Sequence, residues 1–330
     1  MLKTVTICRS VYPLRFILLL GILFSFNVFA KQSQEEYIIE RENWKAFIRL
    51  SDGTVDRYEF REHGVWKTIP FRHDRMAGPA WDGIMLAHDK KNPGSFIGEK
   101  DHILYNISYV PAQDHLIVKC SMTNTGSTPY APKQSRLILG IDSEMHAYPQ
   151  WDTKFFPTLL RCEKDFAWGY FMSPKQTIFG FTTAEPVASY TINYIYEGWL
   201  KWKWGHQIRT ASLDMLHPQN LTGLAPGETK CWHIHMGQIQ SLPDVKSKLS
   251  EWAAVPMIEC NRYTITSKES ISVRGYSTDS ISIAIKGPGI KNQKSLTTDK
   301  KGNLYTTCFR PTQKGEYKIT VTTRSGKTAE

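Results

Sequence analysis

From Tyr37 to Trp66 apolar and polar residues alternate in short runs. Trp44–Leu50 and Val55–Phe60 flank Ser51-Asp52-Gly53, which predicts a β-hairpin. A long polar loop follows, punctuated by Gly78-Pro79, Gly83 and Asn92-Pro93-Gly94. Ile103–Val110 and His115–Met122 then bracket Pro111-Ala112-Gln113-Asp114 as a second hairpin, and Leu137–Ile141 is a further strand-like run. Helical periodicity is almost absent before residue 240. Strands separated by turns over this length predict a large antiparallel β-sandwich, residues 31–240.

The texture changes after the closing strand that follows Leu224-Ala225-Pro226-Gly227-Glu228. Ser241 is placed to cap a helix with Pro243 in its first turn, one apolar stripe of Val245, Leu249 and Trp252, and Pro256 at its end. Residues 241–256 are therefore expected as a helical connector. Residues 257–330 return to alternation, in Ile271–Val273, Ile281–Ile285 and Gly315–Thr322, with a turn at Gly287-Pro288-Gly289. Roughly seven short strands in this length predict a small immunoglobulin-like sandwich. The fold class is all-β throughout.

The segment from Trp151 to His206 concentrates aromatic residues, among them Phe155-Phe156, Phe166, Trp168, Tyr170-Phe171, Tyr190, Tyr194, Tyr196, Trp199, Trp202 and Trp204. Such a cluster is either the centre of a β-rich core or a stacking surface for flat, partly polar ligands such as sugars. Lys201 and Lys203 alternate with Trp202 and Trp204, so on a strand the indoles share one face and the ammoniums the other. That suits a carbohydrate-stacking platform of Trp199, Trp202, Trp204, Tyr194 and Tyr196. It suits equally a buried tryptophan row with lysines snorkelling outside.

The amino terminus narrows the setting. Lys3, Arg9 and Arg15 precede the apolar run Phe16–Phe24 and then Val28-Phe29-Ala30, the pattern of a secretory signal peptide over residues 1–30, cleaved near Ala30. No later segment is apolar enough to cross a bilayer, so a secreted or periplasmic mature protein is expected. Without the leader's three bases the formal charge of +10 falls to +7. Residues 256–330 hold 13 bases against six acids, so the whole excess lies there, around Lys286, Lys291, Lys294, Lys300 and Lys301. A basic patch of this kind holds an acidic glycan or is a solvated loop; nucleic acid is excluded by export and by the lack of any nucleic-acid motif. Five cysteines remain after the leader, with no CxxC spacing. Buried free thiols are expected, with Cys260 and Cys308 the pair best placed for a disulfide.

Asn124-Thr125-Gly126, Leu139-Gly140-Ile141-Asp142, Phe156–Cys162, Trp168–Pro174, Pro186–Tyr190, Gly205–Thr210 and Leu224-x-Pro226-Gly227-Glu228 resemble the amino-terminal region of large exported polysaccharide-degrading enzymes of Bacteroides-type bacteria. In those enzymes a galactose-mutarotase-like sandwich and a small immunoglobulin-like module precede an (α/α) toroid that carries most of the catalytic machinery. The resemblance implies a poly- or oligosaccharide partner and packing against such a toroid; no cofactor is expected. The sequence stops at Glu330, where the toroid would begin, so the chain is expected to be a truncated frame or a stand-alone binding or accessory protein.

Catalytic candidates are read beside that expectation. Asp142 and Glu144 are two apart and would share a strand face, as the acid pair of a glycoside hydrolase does, with Asp152, Glu185 and Glu197 near the aromatic stretch. A polysaccharide lyase needs a base and a neutraliser for a uronate carboxylate, and His206 and Arg209 beside Tyr194 and Tyr196 offer both. In the resembled enzymes this region borders the cleft that faces the toroid. His233 and His235 share a strand face as metal ligands do, with His206 or His217 as a third, but no acid or cysteine cluster completes a site, so no metal is expected. Serine-nucleophile, phosphate-loop and dinucleotide motifs are absent.

Overall fold

The computed structural model describes residues 35–71, 80–81, 83–131, 134–142, 156–187, 189–196, 208–218, 223–266 and 268–330. Residues 36–330 form one compact unit. The first strands are β1 (Glu36–Glu40), β2 (Trp44–Arg49), β3 (Val55–Glu62) and β4 (Val65–Pro70), which make a four-stranded antiparallel sheet in chain order. Next come β5 (Ala80–Trp81), β6 (Ala87–His88), β7 (Ser95–Lys100), β8 (Ile103–Pro111), β9 (Leu116–Asn124) and β10 (Gln134–Asp142). The aromatic half supplies β11 (Phe156–Cys162), β12 (Ala167–Met172), β13 (Ile178–Thr183), β14 (Ser189–Tyr196), β15 (Ile208–Pro218) and β16 (Thr229–Ile239).

Eight of these strands form one sheet in the order β11-β12-β13-β16-β9-β8-β7-β6, and four form another in the order β14-β15-β10-β5. The sequence dictates the facing of the large sheet. In β8 and β9 alternate residues are buried, Ile103, Tyr105, Ile107 and Tyr109 against Leu116, Val118, Cys120 and Met122, as the two-residue period of a strand with one covered face requires. That face packs on Trp44, Tyr58, Phe60 and Ile69 of the first sheet, on Phe71 just after it, and on Trp81, Leu137 and Leu139 of the third, in one hydrophobic core. The expected hairpins at 44–60 and 103–122 form. The stretch expected as a long loop instead contributes β5 to β7, with β7 fully paired to β8 from Ser95 to Lys100.

β13 breaks the alternation, because all six of its residues are buried. Its second face is covered by helix α1 (Val245–Ala253), whose Val245, Leu249 and Trp252 stripe forms a second core with Phe166, Trp168, Ile178 and Ile239. The approach is close: a Cβ at Gly180 would stand 3.2 Å from Leu249 Cδ2 of α1 and 2.4 Å from Ile239 Cδ1 of the neighbouring β16. Ser241 caps a 3-10 turn, Leu242–Asp244, rather than α1 itself, and its hydroxyl donates to Asp244 Oδ2 at 2.6 Å instead of receiving a backbone N–H. The helix ends on Ala254 in the left-handed region, with Ser250 Oγ donating to Val255 O at 2.7 Å.

Eight short strands follow: β17 (Met257–Cys260), β18 (Ile271–Tyr276), β19 (Ile281–Lys286), β20 (Lys294–Leu296), β21 (Asp299–Lys301), β22 (Leu304–Phe309), β23 (Lys318–Thr323) and β24 (Thr328–Ala329). They pair as two antiparallel sheets, β17-β18-β22-β21 and β20-β19-β23-β24, over a core of Val273, Ile283, Tyr305 and Val321. The architecture is thus all-β, with a large antiparallel sandwich followed by a small one. Cys260 and Cys308 are free thiols, Cys260 half-buried and Cys308 exposed. Cys260 pairs with Val273 and Cys308 with Ser272, so the two lie on strands separated by β18, roughly two strand spacings or about 9.5 Å apart and beyond disulfide reach. Among the described residues no helix is long and apolar enough to cross a membrane.

Candidate functional site

Two polar constellations stand out against this scaffold. The first lies at one end of the sheet β14-β15-β10-β5. In the β14–β15 ladder Ile195 pairs with Thr210 and Tyr196 pairs with Ile208, so the register skips Arg209. Arg209 is therefore the extra residue of a β-bulge, the device that re-aims a strand locally and is over-represented beside active sites. On the other side of β15, Thr210 pairs with Asp142, the last residue of β10. Backbone register thus brings Asp142, Arg209, Tyr194 and Tyr196 to the same end of one sheet. Glu144, Trp199, Trp202, Trp204 and His206 lie outside the described residues. The four that remain supply, by residue type, a carboxylate, a guanidinium able to pair with a substrate carboxylate, and phenols of the kind that serve as general bases.

The second constellation runs along the outer face of the large sheet and is built from β16. His233 and His235 share that face, yet their rings meet different partners. Glu185 clamps His233, its Oε2 accepting the His233 backbone N–H at 2.6 Å and its Oε1 lying 2.6 Å from the ring Nδ1. His235 is buried and its Nδ1 lies 3.1 Å from Nε2 of His115, which stands just before β9. His115 Nδ1 lies 3.0 Å from Asp114 Oδ1, and Lys248 of α1 donates to Asp114 Oδ2 at 3.2 Å. The His115 ring is stacked on Trp252 with centroids 4.9 Å apart. A chain of polar groups therefore connects α1 to the sheet.

Electrostatics separate the members of this chain. The hydrogen bond from His115 holds the Asp114 carboxyl well below the usual carboxylate range, with the Lys248 ammonium adding to it. Burial, reinforced by His115, His233 and Lys327, pushes His235 down to about 3, so its imidazole is neutral at physiological pH. Among the described residues no group of three His, Cys, Asp or Glu side chains is arranged to hold a metal ion. Sequence alone does not single out Asp114, His115 and Lys248. Asp114 reads there only as a turn residue, and nothing local ties His115 to a strand 120 residues away.

The fold defines the class, an all-β protein of stacked antiparallel sheets. In shape it is similar to a Bacteroides polysaccharide lyase, with a TM-score of 0.59 and 14% identity over 88% of this chain and 46% of that one. The chain thus spans less than half the length of that lyase. It is also similar to a galactose mutarotase related enzyme of Lactobacillus acidophilus, with a TM-score of 0.39 and 9% identity over 64% of this chain and 100% of that one. A galactose mutarotase-like protein of Lactobacillus casei gives 0.34 and 11% over 62% and 100%. No protein-family model matches the sequence, and no curated protein matches it.

Proposed function

We propose that this chain is an exported carbohydrate-handling protein, equivalent to the non-catalytic front half of a polysaccharide-degrading enzyme. The observation that carries the reading is the shared fold over 88% of the chain with less than half of a polysaccharide lyase. In this reading the leader is removed near Ala30, and the large sandwich offers a glycan-contacting edge that packs against a catalytic toroid. The glycan is held by stacking on Tyr194, Tyr196, Trp199, Trp202 and Trp204 and by hydrogen bonds. Residues 31–240, 241–256 and 257–330 act as sandwich, connector and a second, immunoglobulin-like module.

A second reading, a lyase or glycoside hydrolase acting from the sandwich itself, is favoured by one feature. Arg209 sits in a bulge with Tyr196 on one neighbouring strand and Asp142 on the other. In that reading Arg209 neutralises a uronate carboxylate and a phenol or His206 takes the proton, while Asp142 and Glu144 serve hydrolysis.

The two readings part in one assay. The mature chain is incubated with a panel of acidic and neutral polysaccharides, and unsaturated ends are followed by ultraviolet absorbance and reducing ends by a colour reaction. The accessory reading expects neither kind of end above a blank. Ends that appear with wild type and vanish with Arg209→Ala would replace it with the enzymatic one.

A further inference from the structure

We infer a binding trough for a neutral oligosaccharide, built around Tyr263 and walled by the small sandwich, with Arg161 of β11 at one end. Two clefts, of about 490 and 950 Å³, share Tyr263, Ile271 and Tyr317 as a common wall. Both volumes fall in the range of small-molecule sites, and together they make a trough with one aromatic ring at its middle. Tyr263 is 80% exposed, a large aromatic surface left in water.

The loop that presents it is braced rather than slack. Glu269 accepts hydrogen bonds from the Thr266 backbone N–H at 2.8 Å and the Thr266 hydroxyl at 3.0 Å, and it also pairs with Arg262. Asn261 and Ser272 close the loop's base, with Asn261 N–H donating to Ser272 O at 3.1 Å and Ser272 N–H to Asn261 Oδ1 at 2.9 Å. Across the trough Tyr317 is fixed by its hydroxyl, which lies 2.8 Å from Gln313 O and 3.0 Å from Pro288 O, and its ring packs on Phe309. The Tyr317 ring is held and the Tyr263 ring stands on a braced loop, so a ligand meets two flat faces on an ordered backbone.

Charge pairing selects the ligand class. This part of the chain carries seven excess positive charges, which by themselves favour a polyanion. Three of the four cations lining the trough are matched, and the fourth, Lys314, stands at its far end among Thr312, Gln313 and Glu316. Arg161 pairs with Glu163 at 3.3 Å, Arg262 with Glu269, and Lys318 with Glu330. A rim of guanidinium and ammonium groups set beside carboxylates offers donors and acceptors together, which is what a sugar hydroxyl needs because it does both. The apolar C–H face of a pyranose then lies on a tyrosine ring. At Arg161, Arg262 and Lys318 a polyanion would have to displace the carboxylates first. The inference rests on the carbohydrate reading only for the kind of ligand; it uses no residue of the bulged sheet end.

Isothermal titration of the full chain tests it, with cellohexaose, xylohexaose and mannohexaose as neutral probes and hexagalacturonate as the acidic one. The expected result is binding of at least one neutral hexamer, weakened about tenfold by Tyr263→Ala and restored by Tyr263→Phe. An exposed side chain makes Tyr263→Ala safe for folding. Neutral binding indifferent to Tyr263→Ala, or no neutral binding at all, overturns the inference. Binding of hexagalacturonate alone, lost on Arg209→Ala, overturns it too while leaving carbohydrate handling intact.

Discussion

His115 Nε2 and His235 Nδ1 stand 3.1 Å apart, both rings buried. Because the Asp114 carboxylate can only accept, His115 Nδ1 carries a proton toward it, and in the neutral pair His235 Nδ1–H donates to His115 Nε2. The order of donors runs from β16 through His115 to Asp114, and from Lys248 of α1 to the same carboxylate. The helix and the large sheet are joined through this carboxylate.

A pH dependence of folding follows from it. His235 is held down at about 3 in the folded chain against about 6.5 when unfolded, so between those values the unfolded state binds the extra proton. Stability is therefore retained above about pH 6.5 and falls as pH drops through this window. Asp114, also depressed, adds a further loss once pH passes below the ordinary carboxylate value near 4. Urea unfolding at pH 7.5, 6, 5 and 4 is expected to show the decline, and His235→Phe to flatten it above pH 4. At pH 7.5 that variant should lose about 1–3 kcal/mol, since His115 is left without its buried partner. An unchanged slope would refute the assignment.

Gly53 tests the turn that closes β2 on β3. It has φ of +73°, its carbonyl accepts from Tyr109 Oη at 2.5 Å, and a Cβ there would stand 2.5 Å from Phe96 Cγ in the core. Gly53→Ala combines a left-handed alanine with an overpacked core and should cost roughly 2–4 kcal/mol by chemical denaturation. Gly227→Ala, also at positive φ but with nothing within 4 Å, should cost only about 1 kcal/mol.

These hairpins were legible because their information is local. Alternation marked β2, β3, β8, β9 and β10, and the spacing of Val245, Leu249 and Trp252 marked α1, since strand and helix periods are properties of neighbours in sequence. β7 was not legible because Asn92-Pro93-Gly94 before it and Gly98 inside it are loop signals, and its six residues Ser95–Lys100 do not alternate. The bulge at Arg209, the His115–His235 contact and the clefts beside Tyr263 are products of pairing between distant strands. Nothing in the composition of any one stretch encodes them.

The thiols give a chemical check on the small sandwich. Cys231 and Cys308 are exposed, Cys120 is buried, and burial pushes the Cys162 thiol up to about 11. A thiol reagent at neutral pH is expected to label two cysteines of the mature chain quickly and all five after unfolding. Migration in denaturing gels should not change on reduction. Faster migration without reductant would mean a disulfide forms and the separation of Cys260 from Cys308 by β18 is wrong.

Affinity electrophoresis of the mature full chain through native gels cast with single polysaccharides tests carbohydrate handling most directly. Retardation in at least one gel, relieved by the matching free oligosaccharide, is the expected result. Identical mobility in every gel, acidic and neutral alike, would contradict the account and leave the sandwich as a packing module alone.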